Sequence, residues 1–394
     1  MTEPMRAAPR STSAPTIEGF ADHGFGAIAD AFRDNFERRE ELGAAVSVYS
    51  DGRKVVDLWG GVADTRTNQP WTEDTRNVVF SCTKGLLAIC AYRLVEEGRL
   101  VLDTPVVEYW PEFGRNGKER ITVRMLLCHR AGLPVIDRAL SRQECLAWEP
   151  VIEALEDQEP IWEPGKAHTY HAKTYGWLVG EIIRRVTGMM PGVYFRLAIA
   201  EPLGVRTRIG VPVAEQGDVA RIEPPRDGPG TYVPTDVEIR ALTINGAIPF
   251  PIVDGDMTYN APDIRAAELP GTNAISTARD LARIYAACVA DVDGVRLMEE
   301  ASVEDALRQQ SAGVQIFGPD GSQRWSTGFM LDSRPFRWML GERSFGHDGA
   351  GGLLAFADAA SVVGFGYVAN QMGGPDDQRA NRLVAGLRTS ILSG

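Results

Sequence analysis

The amino-acid sequence predicts an α+β fold, because strand patterns lie at both ends of the chain and helical patterns fill its middle. A β-hairpin follows the first helix, which argues against a doubly wound parallel sheet. We expect a mixed α/β domain formed by residues 17–105 and 275–394, with a helical insertion and a long loop at 106–274. Residues 1–16, rich in Pro, Ser, Thr and Ala, are expected to be disordered.

The first expected elements are a helix and a hairpin. Apolar residues at helical spacing, with charges between them, predict an amphipathic helix from about Phe25 to Glu41. Two strand patterns follow, at Ala44–Ser50 and Lys54–Val62. Between them stands Asp51-Gly52, a dipeptide that suits a tight turn with positive φ.

The middle and the end of the chain carry further helix and strand patterns. A short helix after Ile121 is expected to end at Gly132, and a longer one is expected at Thr174–Gly188. Residues 206–275 are irregular and rich in proline, and a helix is expected at Leu281–Cys288. The expected C-terminal strands are Trp325–Leu331, Leu353–Phe356 and Val362–Ala369.

Composition and charge exclude several classes of protein. The formal net charge of −12 argues against nucleic acid or an anionic membrane as a partner, and no apolar run is long enough to span a bilayer. The five Cys residues are irregularly spaced and form no C-x-x-C pair, so we expect neither a disulfide framework nor a zinc site. The N-terminal residues lack the apolar region of a signal peptide, which makes the cytoplasm the expected compartment.

The strongest candidate for chemistry is Ser81-Cys-Thr-Lys84, at the start of a predicted helix with one buried apolar face. Ser81 and Lys84 are three residues apart, so a helix would place them on the same face. A partly desolvated lysine can lose its proton and then accept one from the serine hydroxyl. The alternative is a helix N-cap serine followed by a solvated lysine.

Tyr170 precedes the helix expected at Thr174–Gly188, a position typical of catalytic groups on loops. A phenol near an ammonium group has a lowered pKa and can act as a general base or proton shuttle. The alternative is a packed tyrosine whose hydroxyl bonds to the backbone. His129 lies just before Gly132 and is interpreted as a structural residue at a helix end.

A glycine-rich stretch, Phe345–Leu354, contains His347-Asp-Gly349 and leads into an expected strand. Such glycine density suggests either close approach of the backbone to a ligand or a glycine-rich hairpin. A backbone N–H there could form an oxyanion hole with the N–H of Ser81. The stretch lacks the Lys-Ser/Thr ending of a phosphate loop, and no histidine has a metal-ligand partner at useful spacing. We therefore expect no metal and no cofactor.

Taken together, three motifs resemble those of the serine β-lactamase and penicillin-binding-protein superfamily, and most closely its class C-like branch, the family VIII carboxylesterases. Ser81-Cys-Thr-Lys84 matches the S-x-x-K motif. Tyr170-His-Ala172 stands where that superfamily has Tyr-x-Asn, and His347-Asp-Gly349 stands where it has Lys-Thr-Gly or, in esterases, His-x-Gly. The resemblance extends from about residue 25 to 390.

The resemblance implies an antiparallel sheet flanked by helices, an inserted all-helical domain, and a site between them. By carry-over, Ser81 is the nucleophile, Lys84 and Tyr170 share the base role, and the N–H groups of Ser81 and Ala350 form the oxyanion hole. The acyl-enzyme that results would be released by water or another alcohol.

Two departures from the β-lactamase pattern affect the expected substrate. Ala172 replaces an asparagine that helps to hold a substrate amide, and His347 replaces a lysine that pairs with the β-lactam carboxylate. A site without those polar groups should bind an uncharged small-molecule ester better than a β-lactam. His347, Gly349, Ala172 and Phe250 are the expected substrate-binding residues, with Ile248 and Ile252 beside Phe250 in an apolar wall.

The predicted function is that of a serine carboxylesterase. An acyltransferase or an amidase acting on a secondary metabolite or peptide-like substrate would use the same residues and stays open. A β-lactamase and a penicillin-binding sensor without turnover are further alternatives within the superfamily. An α/β-hydrolase is disfavoured because the sequence has no G-x-S-x-G motif. The sequence predicts neither the natural substrate, nor the acyl chain length, nor the oligomeric state.

Overall fold

A computed structural model describes residues 16–38, 40–226, 233–249, 252–253, 256–318, 323–374 and 376–393. The expected disordered N-terminus at 1–16 lies almost entirely outside these described residues, and Phe250 lies outside them as well. The prediction for each of them therefore stays a prediction.

Most strands belong to one large sheet, with a smaller sheet beside it. In chain order the strands β1 to β13 are Ile17–Ala21, Gly43–Ser50, Arg53–Asp64, Gln69–Pro70, Asn77–Val78, Arg208–Ile209, Ile252–Val253, Asp256–Met257, Ala274–Ser276, Met330–Leu331, Ser344–Gly349, Leu353–Asp358 and Val363–Ala369.

The helices lie on both faces of the large sheet and in the segment between its two halves. In chain order α1 to α13 are Gly26–Glu37, Cys82–Glu96, Val123–Leu127, Arg142–Leu146, Glu149–Asp157, Thr174–Thr187, Pro191–Phe195, Glu201–Leu203, Asp236–Thr243, Pro262–Ala266, Ala278–Val289, Glu300–Leu307 and Arg379–Ser393. Short 3-10 or π turns occupy Val106–Glu108, Pro111–Gly114, Arg196–Ala200, Val213–Glu215 and Thr258–Asn260.

The large sheet is antiparallel and joins the two ends of the chain. Its strand order is β1-β3-β2-β13-β12-β11-β10, and β4 pairs with β3 at the side. Ser47 of β2 lies opposite Gly366 of β13, which places the N-terminal hairpin directly beside the C-terminal strands. This arrangement confirms the predicted α+β class.

The hairpin turn between β2 and β3 also matches the sequence. Asp51 and Gly52 have φ values of 49° and 75°, the left-handed geometry that an Asp-Gly dipeptide tolerates.

One face of the large sheet packs against α1 and α13, with buried residues such as Phe32 and Leu387. The other face packs against α11, where the main chain of α11 passes close over Gly364. The sheet is therefore covered by helices on both faces.

A small sheet, β5-β9-β6, positions the beginning of α2. Val79 donates a backbone hydrogen bond to Ala274 at 2.8 Å, and the Thr83 side chain accepts one from Ala274 at 3.0 Å. The first turn of α2 is therefore fixed to β9. We expected one buried face on this helix, but it is buried on all sides from Cys82 to Tyr92. It is a central core helix, because the large sheet, α6 and α7 all contact it.

Two local predictions were wrong in detail, and one open alternative is resolved. The helix that we expected to end at Gly132 ends at Leu127, and His129 follows with a φ of 63°. The glycine-rich stretch forms the hairpin that was one of the two expected alternatives, because β11 runs from Ser344 to Gly349, turns, and pairs with β12. The strand expected at Trp325–Leu331 is reduced to Met330–Leu331.

The segment at 106–274 contains α3 to α10 and only short strands. Its treatment as a separate inserted domain stays a prediction. Among the described residues, no helix is both long and apolar enough to cross a membrane.

Candidate active site

Ser81 stands at the start of α2, directly after a residue with unusual backbone geometry. Phe80 has a φ of 46°, in the left-handed region that few side chains other than glycine adopt readily. The Ser81 side chain makes no hydrogen bond that would cap α2, so the N-cap alternative does not describe it. Its hydroxyl instead faces a cavity and contacts Lys84 and Tyr170.

The Lys84 ammonium nitrogen, Nζ, has three polar neighbours. It lies 3.1 Å from Ser81 Oγ and 2.8 Å from the carbonyl oxygens of both Ala172 and Gly271. Complete burial lowers the pKa of Lys84 well below its ordinary value, and the positive charge of Lys173 lowers it further. The Asp348 carboxylate acts in the opposite direction on this pKa, but burial dominates.

The two carbonyl groups determine what the neutral amine can do. A neutral lysine has two N–H bonds and one lone pair, and the carbonyls of Ala172 and Gly271 accept both N–H bonds. The lone pair is then left for the hydroxyl proton of Ser81. This geometry is what a general base for a serine nucleophile requires.

The Tyr170 hydroxyl donates a hydrogen bond to Ser81 Oγ at 2.7 Å. Its ring stacks on Trp325 with the centroids 5.1 Å apart, and Gln315 accepts a hydrogen bond from its backbone N–H. We expected the nearby ammonium to lower the pKa of Tyr170, but burial raises it well above its ordinary value. The phenol therefore keeps its proton, whereas the pKa of Lys84 is shifted toward the neutral amine.

Ser81 and Ala350, whose N–H groups are the expected oxyanion hole, both line the cavity. Within the described residues neither N–H group donates a hydrogen bond to the protein, which leaves both available to a substrate oxygen. Ala350 lies in the turn after β11, where Gly352 donates to the Gly349 carbonyl at 3.2 Å. The guanidinium group of Arg379 holds the same turn from behind by donating to the Gly351 carbonyl at 2.6 Å.

Gly349 is required for close approach of two backbone segments. A Cβ atom at this position would lie 2.6 Å from the carbonyl oxygen of Val79 and 3.3 Å from Cys82 Sγ. The absent side chain thus lets the end of β11 contact the residues on either side of Ser81. Its expected role in substrate binding stays a prediction.

The structure places His347 behind the cavity wall. Its ring is buried between α2 and the rings of Tyr170 and Trp325, with Nδ1 2.7 Å from the Asp348 carbonyl oxygen. Burial lowers the pKa of His347, so the ring is neutral near pH 7. The next residue, Asp348, is the one that borders the cavity. Ala172 does border it, and its carbonyl also holds Lys84.

The cavity at Ser81 has a volume of about 180 Å³. Several of its lining residues were missed by the sequence reasoning: Lys173, Leu242, Thr272, Gln323, Trp325 and Asp348. Lys173 and Asp348 stand inside the motif stretches and could have been suspected from that position. Leu242 lies in α9, and Thr272, Gln323 and Trp325 lie outside the helices and strands, all far from any motif. No sequence signal pointed to a role for them in the site.

His129 has the structural role that the sequence suggested, although it is close to the site. Its Nδ1 accepts a hydrogen bond from the His171 backbone at 3.2 Å, and its ring lies edge-on to Tyr170. Burial lowers the pKa of His129 well below its ordinary value. Among the described residues, no group of three or more His, Cys, Asp and Glu side chains could hold a metal ion.

A second and larger cavity, of about 420 Å³, opens on another part of the surface. Arg76, Arg206 and Asp218 line it and are joined by ion pairs, and none of the residues around Ser81 contributes to it. The smaller cavity is the candidate active site, because it alone of these two contains a nucleophile beside a base.

Comparisons with known proteins agree with this geometry. The chain is 35% identical over 367 residues to the Esterase/beta-lactamase LipL of Mycobacterium tuberculosis, covering 91% of this chain and 84% of that protein. A solved family VIII carboxylesterase superposes with a TM-score of 0.85 at 32% identity, covering 95% of this chain and all of the other.

A penicillin-binding protein homolog from Caulobacter crescentus superposes equally well, with a TM-score of 0.85 at 34% identity and coverage of 95% and 100%. The model of the Beta-lactamase family matches residues 28–388, which is nearly the whole chain. The fold, the cavity around Ser81 and these likenesses together show that the chain belongs to the Beta-lactamase family.

Proposed function

We propose that the protein is a serine ester hydrolase that acts through an acyl-enzyme on Ser81. The observation that carries this proposal is the pair of contacts at Ser81 Oγ, with Lys84 Nζ at 3.1 Å and the Tyr170 hydroxyl at 2.7 Å. The esterase names of LipL and of the family VIII carboxylesterase support the same reaction class.

The first chemical step forms the acyl-enzyme. Ser81 Oγ bonds to the carbonyl carbon of the ester while its proton passes to the neutral Lys84 amine. The carbonyl oxygen takes the negative charge and accepts hydrogen bonds from the N–H groups of Ser81 and Ala350. When the carbonyl double bond re-forms, the bond to the alcohol breaks. The alcohol oxygen then takes a proton from Tyr170, and the Lys84 ammonium restores that proton.

The second step releases the acid. A water molecule gives a proton to Lys84 and its oxygen attacks the acyl carbon, and the same two N–H groups bind the new oxyanion. The bond from the acyl carbon to Ser81 Oγ then breaks, and Ser81 recovers a proton from the Lys84 ammonium. The enzyme returns to its starting protonation state.

An ester is a better substrate for this cavity than a β-lactam. Ala172 offers only a methyl group where the β-lactamase pattern has an amide, and the neutral His347 ring is not among the residues that line the cavity. A charged β-lactam would lose hydrogen bonds to water that these residues do not replace.

The experiment that tests this function is hydrolysis of p-nitrophenyl acetate by the wild type and by Ser81→Ala. We expect kcat/KM to fall by at least about 10⁴-fold, because removal of a serine nucleophile leaves only binding and the oxyanion hole. Turnover by Ser81→Ala near the wild-type rate would contradict the proposal. Product analysis with added methanol measures transfer to an alcohol instead of water.

We also propose that the protein works in a reducing compartment such as the cytoplasm. Its five cysteines, Cys82, Cys90, Cys128, Cys145 and Cys288, are free and buried, which supports this assignment. Cell fractionation with an antibody against the protein tests it, and recovery from an oxidising compartment would contradict it.

A further inference from the structure

We propose that the cavity mouth binds an aliphatic chain of the ester substrate on an apolar rim formed by Ile239, Leu242, Val314 and Ile316. This inference rests on the proposed function and adds the substrate class, which is an ester whose chain is longer than the cavity can hold. The size of the cavity, the exposure of these four side chains and their attachment to the site carry the inference.

The cavity itself is too small for a long chain. Its volume of about 180 Å³ is below the range of about 300–1,000 Å³ that is usual for drug-sized ligands. It holds the reacting ester group and a few carbons next to it. A longer chain bonded to that group must therefore leave through the mouth and lie on the surface outside.

One side of the rim belongs to α9. Leu242 lines the cavity and is still 37% exposed, so it connects the interior to the surface. Ile239 is one helical turn earlier on the same side of the helix and is 44% exposed. The helix is fixed in place, because Arg240 pairs with Asp137 and the Asn245 side chain donates to the Ile136 carbonyl at 2.5 Å.

The other side of the rim is attached to the loop that carries Tyr170. Gln315 accepts a hydrogen bond from the Tyr170 backbone at 2.9 Å and donates one to the side chain of Gln323, which lines the cavity. Val314 and Ile316 flank Gln315 and are 87% and 54% exposed. The backbone N–H of Ile316 donates to the His168 carbonyl at 3.2 Å, which fixes this segment two residues from the catalytic tyrosine.

Single exposed apolar residues are ordinary, but these four lie on two segments joined to the cavity lining, one through Leu242 itself and the other through the hydrogen bond from Gln315 to Gln323. That arrangement favours a binding surface. An alkyl chain that lies on the rim removes its own surface and that of the rim from water. Complete burial of one CH₂ group increases the binding constant about fourfold, so a group that is half covered increases it about twofold. Four to six additional carbons should therefore raise kcat/KM by roughly tenfold or more.

The test compares a long and a short chain on the same enzyme preparation, below the concentration at which the substrates form micelles. For the acyl side, the readout is the kcat/KM ratio of p-nitrophenyl octanoate to p-nitrophenyl acetate. For the alcohol side, it is the ratio of octyl acetate to ethyl acetate, measured by acid release. Such ratios do not depend on the fraction of active protein.

The test variant is Ile239→Ser combined with Ile316→Ser, and the control is Val101→Ser combined with Val213→Ser. Val101 and Val213 are 55% and 61% exposed and lie outside the rim. We expect one of the two ratios to fall about tenfold in the rim variant and to stay within about twofold in the control. A fall in the octanoate ratio assigns the rim to the acyl chain, and a fall in the octyl ratio assigns it to the alcohol.

Two results would overturn the inference, and they are distinguishable. If the wild type hydrolyses acetate esters and neither ratio changes in the rim variant, the rim proposal is wrong while the proposed function stands. If the wild type hydrolyses none of the four esters, the proposed function fails and the rim proposal fails with it.

Discussion

The hydroxyl group of Tyr285 occupies the space that a side chain at Gly85 would need. Gly85 follows Lys84 in α2, and Tyr285 belongs to α11 on the large sheet. The missing side chain allows these two helices to approach closely beside the site. The Tyr285 hydroxyl is buried and has no hydrogen-bond partner among the described residues.

This contact predicts coupling between two substitutions. Gly85→Ala should reduce the free energy of unfolding by about 1–3 kcal/mol, because the added methyl overlaps the Tyr285 hydroxyl. Tyr285→Phe should change it little or raise it, since it removes an unsatisfied buried group. In the double variant Tyr285→Phe should recover part of the loss. Urea unfolding measures all three variants, and strictly additive effects would contradict a direct contact.

Lys84 should act as the base in its neutral form. The lowered pKa of Lys84 extends the pH range in which the amine is neutral, so kcat/KM should be high above that pKa and fall as the pH drops through it, because the ammonium cannot accept the Ser81 proton. Lys84→Arg keeps a cation but removes the base, and kcat/KM should fall about 10²–10⁴-fold. The control is Lys166→Arg at an exposed position. If Lys84→Arg shows the same fall of kcat/KM at low pH as the wild type, the assignment of Lys84 as the base is wrong.

Tyr170→Phe should distinguish the contribution of the Tyr170 hydroxyl to catalysis from the contribution of its ring to packing. The phenylalanine ring can keep its stack on Trp325, while the hydrogen bond to Ser81 Oγ is lost. We expect kcat to fall about 10²–10³-fold with little change in the melting temperature. Tyr194→Phe, outside the cavity, is the matched control. Activity within about threefold of the wild type would exclude Tyr170 from proton transfer.

Gly349 should be sensitive to the smallest added side chain. The methyl group of Gly349→Ala would meet the Val79 carbonyl at 2.6 Å and displace either Ser81 or the turn after β11 that carries Ala350. A displacement of about 1 Å in a reacting group costs on the order of 10²-fold in rate. Gly341→Ala, just before β11, meets no atom within 4 Å and serves as the control. Steady-state kinetics on a short ester compares them, and equal activity would show that the turn tolerates the shift.

The catalytic candidates were predictable because each stands in a short motif. Ser81 and Lys84 are one helical turn apart, so local geometry alone brings them together. Tyr170 was identified by its place before a strong helix, but its raised pKa depends on burial that only the folded structure provides. Trp325 and Leu242 were missed because their positions depend on how distant segments pack.

The fold class was predictable because local sequence patterns encode most of its strands and helices. The elements that were missed have physical causes. The hairpin at Asp51 is encoded locally by residues that accept positive φ. For β11 the sequence offered a glycine-rich hairpin only as one alternative, because the glycines at 346 and 349 weaken the strand pattern. Neighbouring backbones approach both glycines closely in the folded structure. Helix α13 was not predicted, and its Gly386 lies where a Cβ atom would be 2.7 Å from the Ala27 carbonyl. Glycine has a low helix propensity, so Gly386 makes the helix harder to recognise in the sequence. In the folded structure the same residue allows α13 to pack closely on α1.

The most direct test of the account is the site of covalent modification by diethyl p-nitrophenyl phosphate, located by peptide mass spectrometry. We predict one diethylphosphoryl group per chain on Ser81, with loss of esterase activity in proportion to labelling, and no label in Ser81→Ala. Hydrolysis of p-nitrophenyl acetate that persists in fully labelled protein, or labelling at another residue that tracks the loss of activity, would contradict the assignment of Ser81 as the nucleophile.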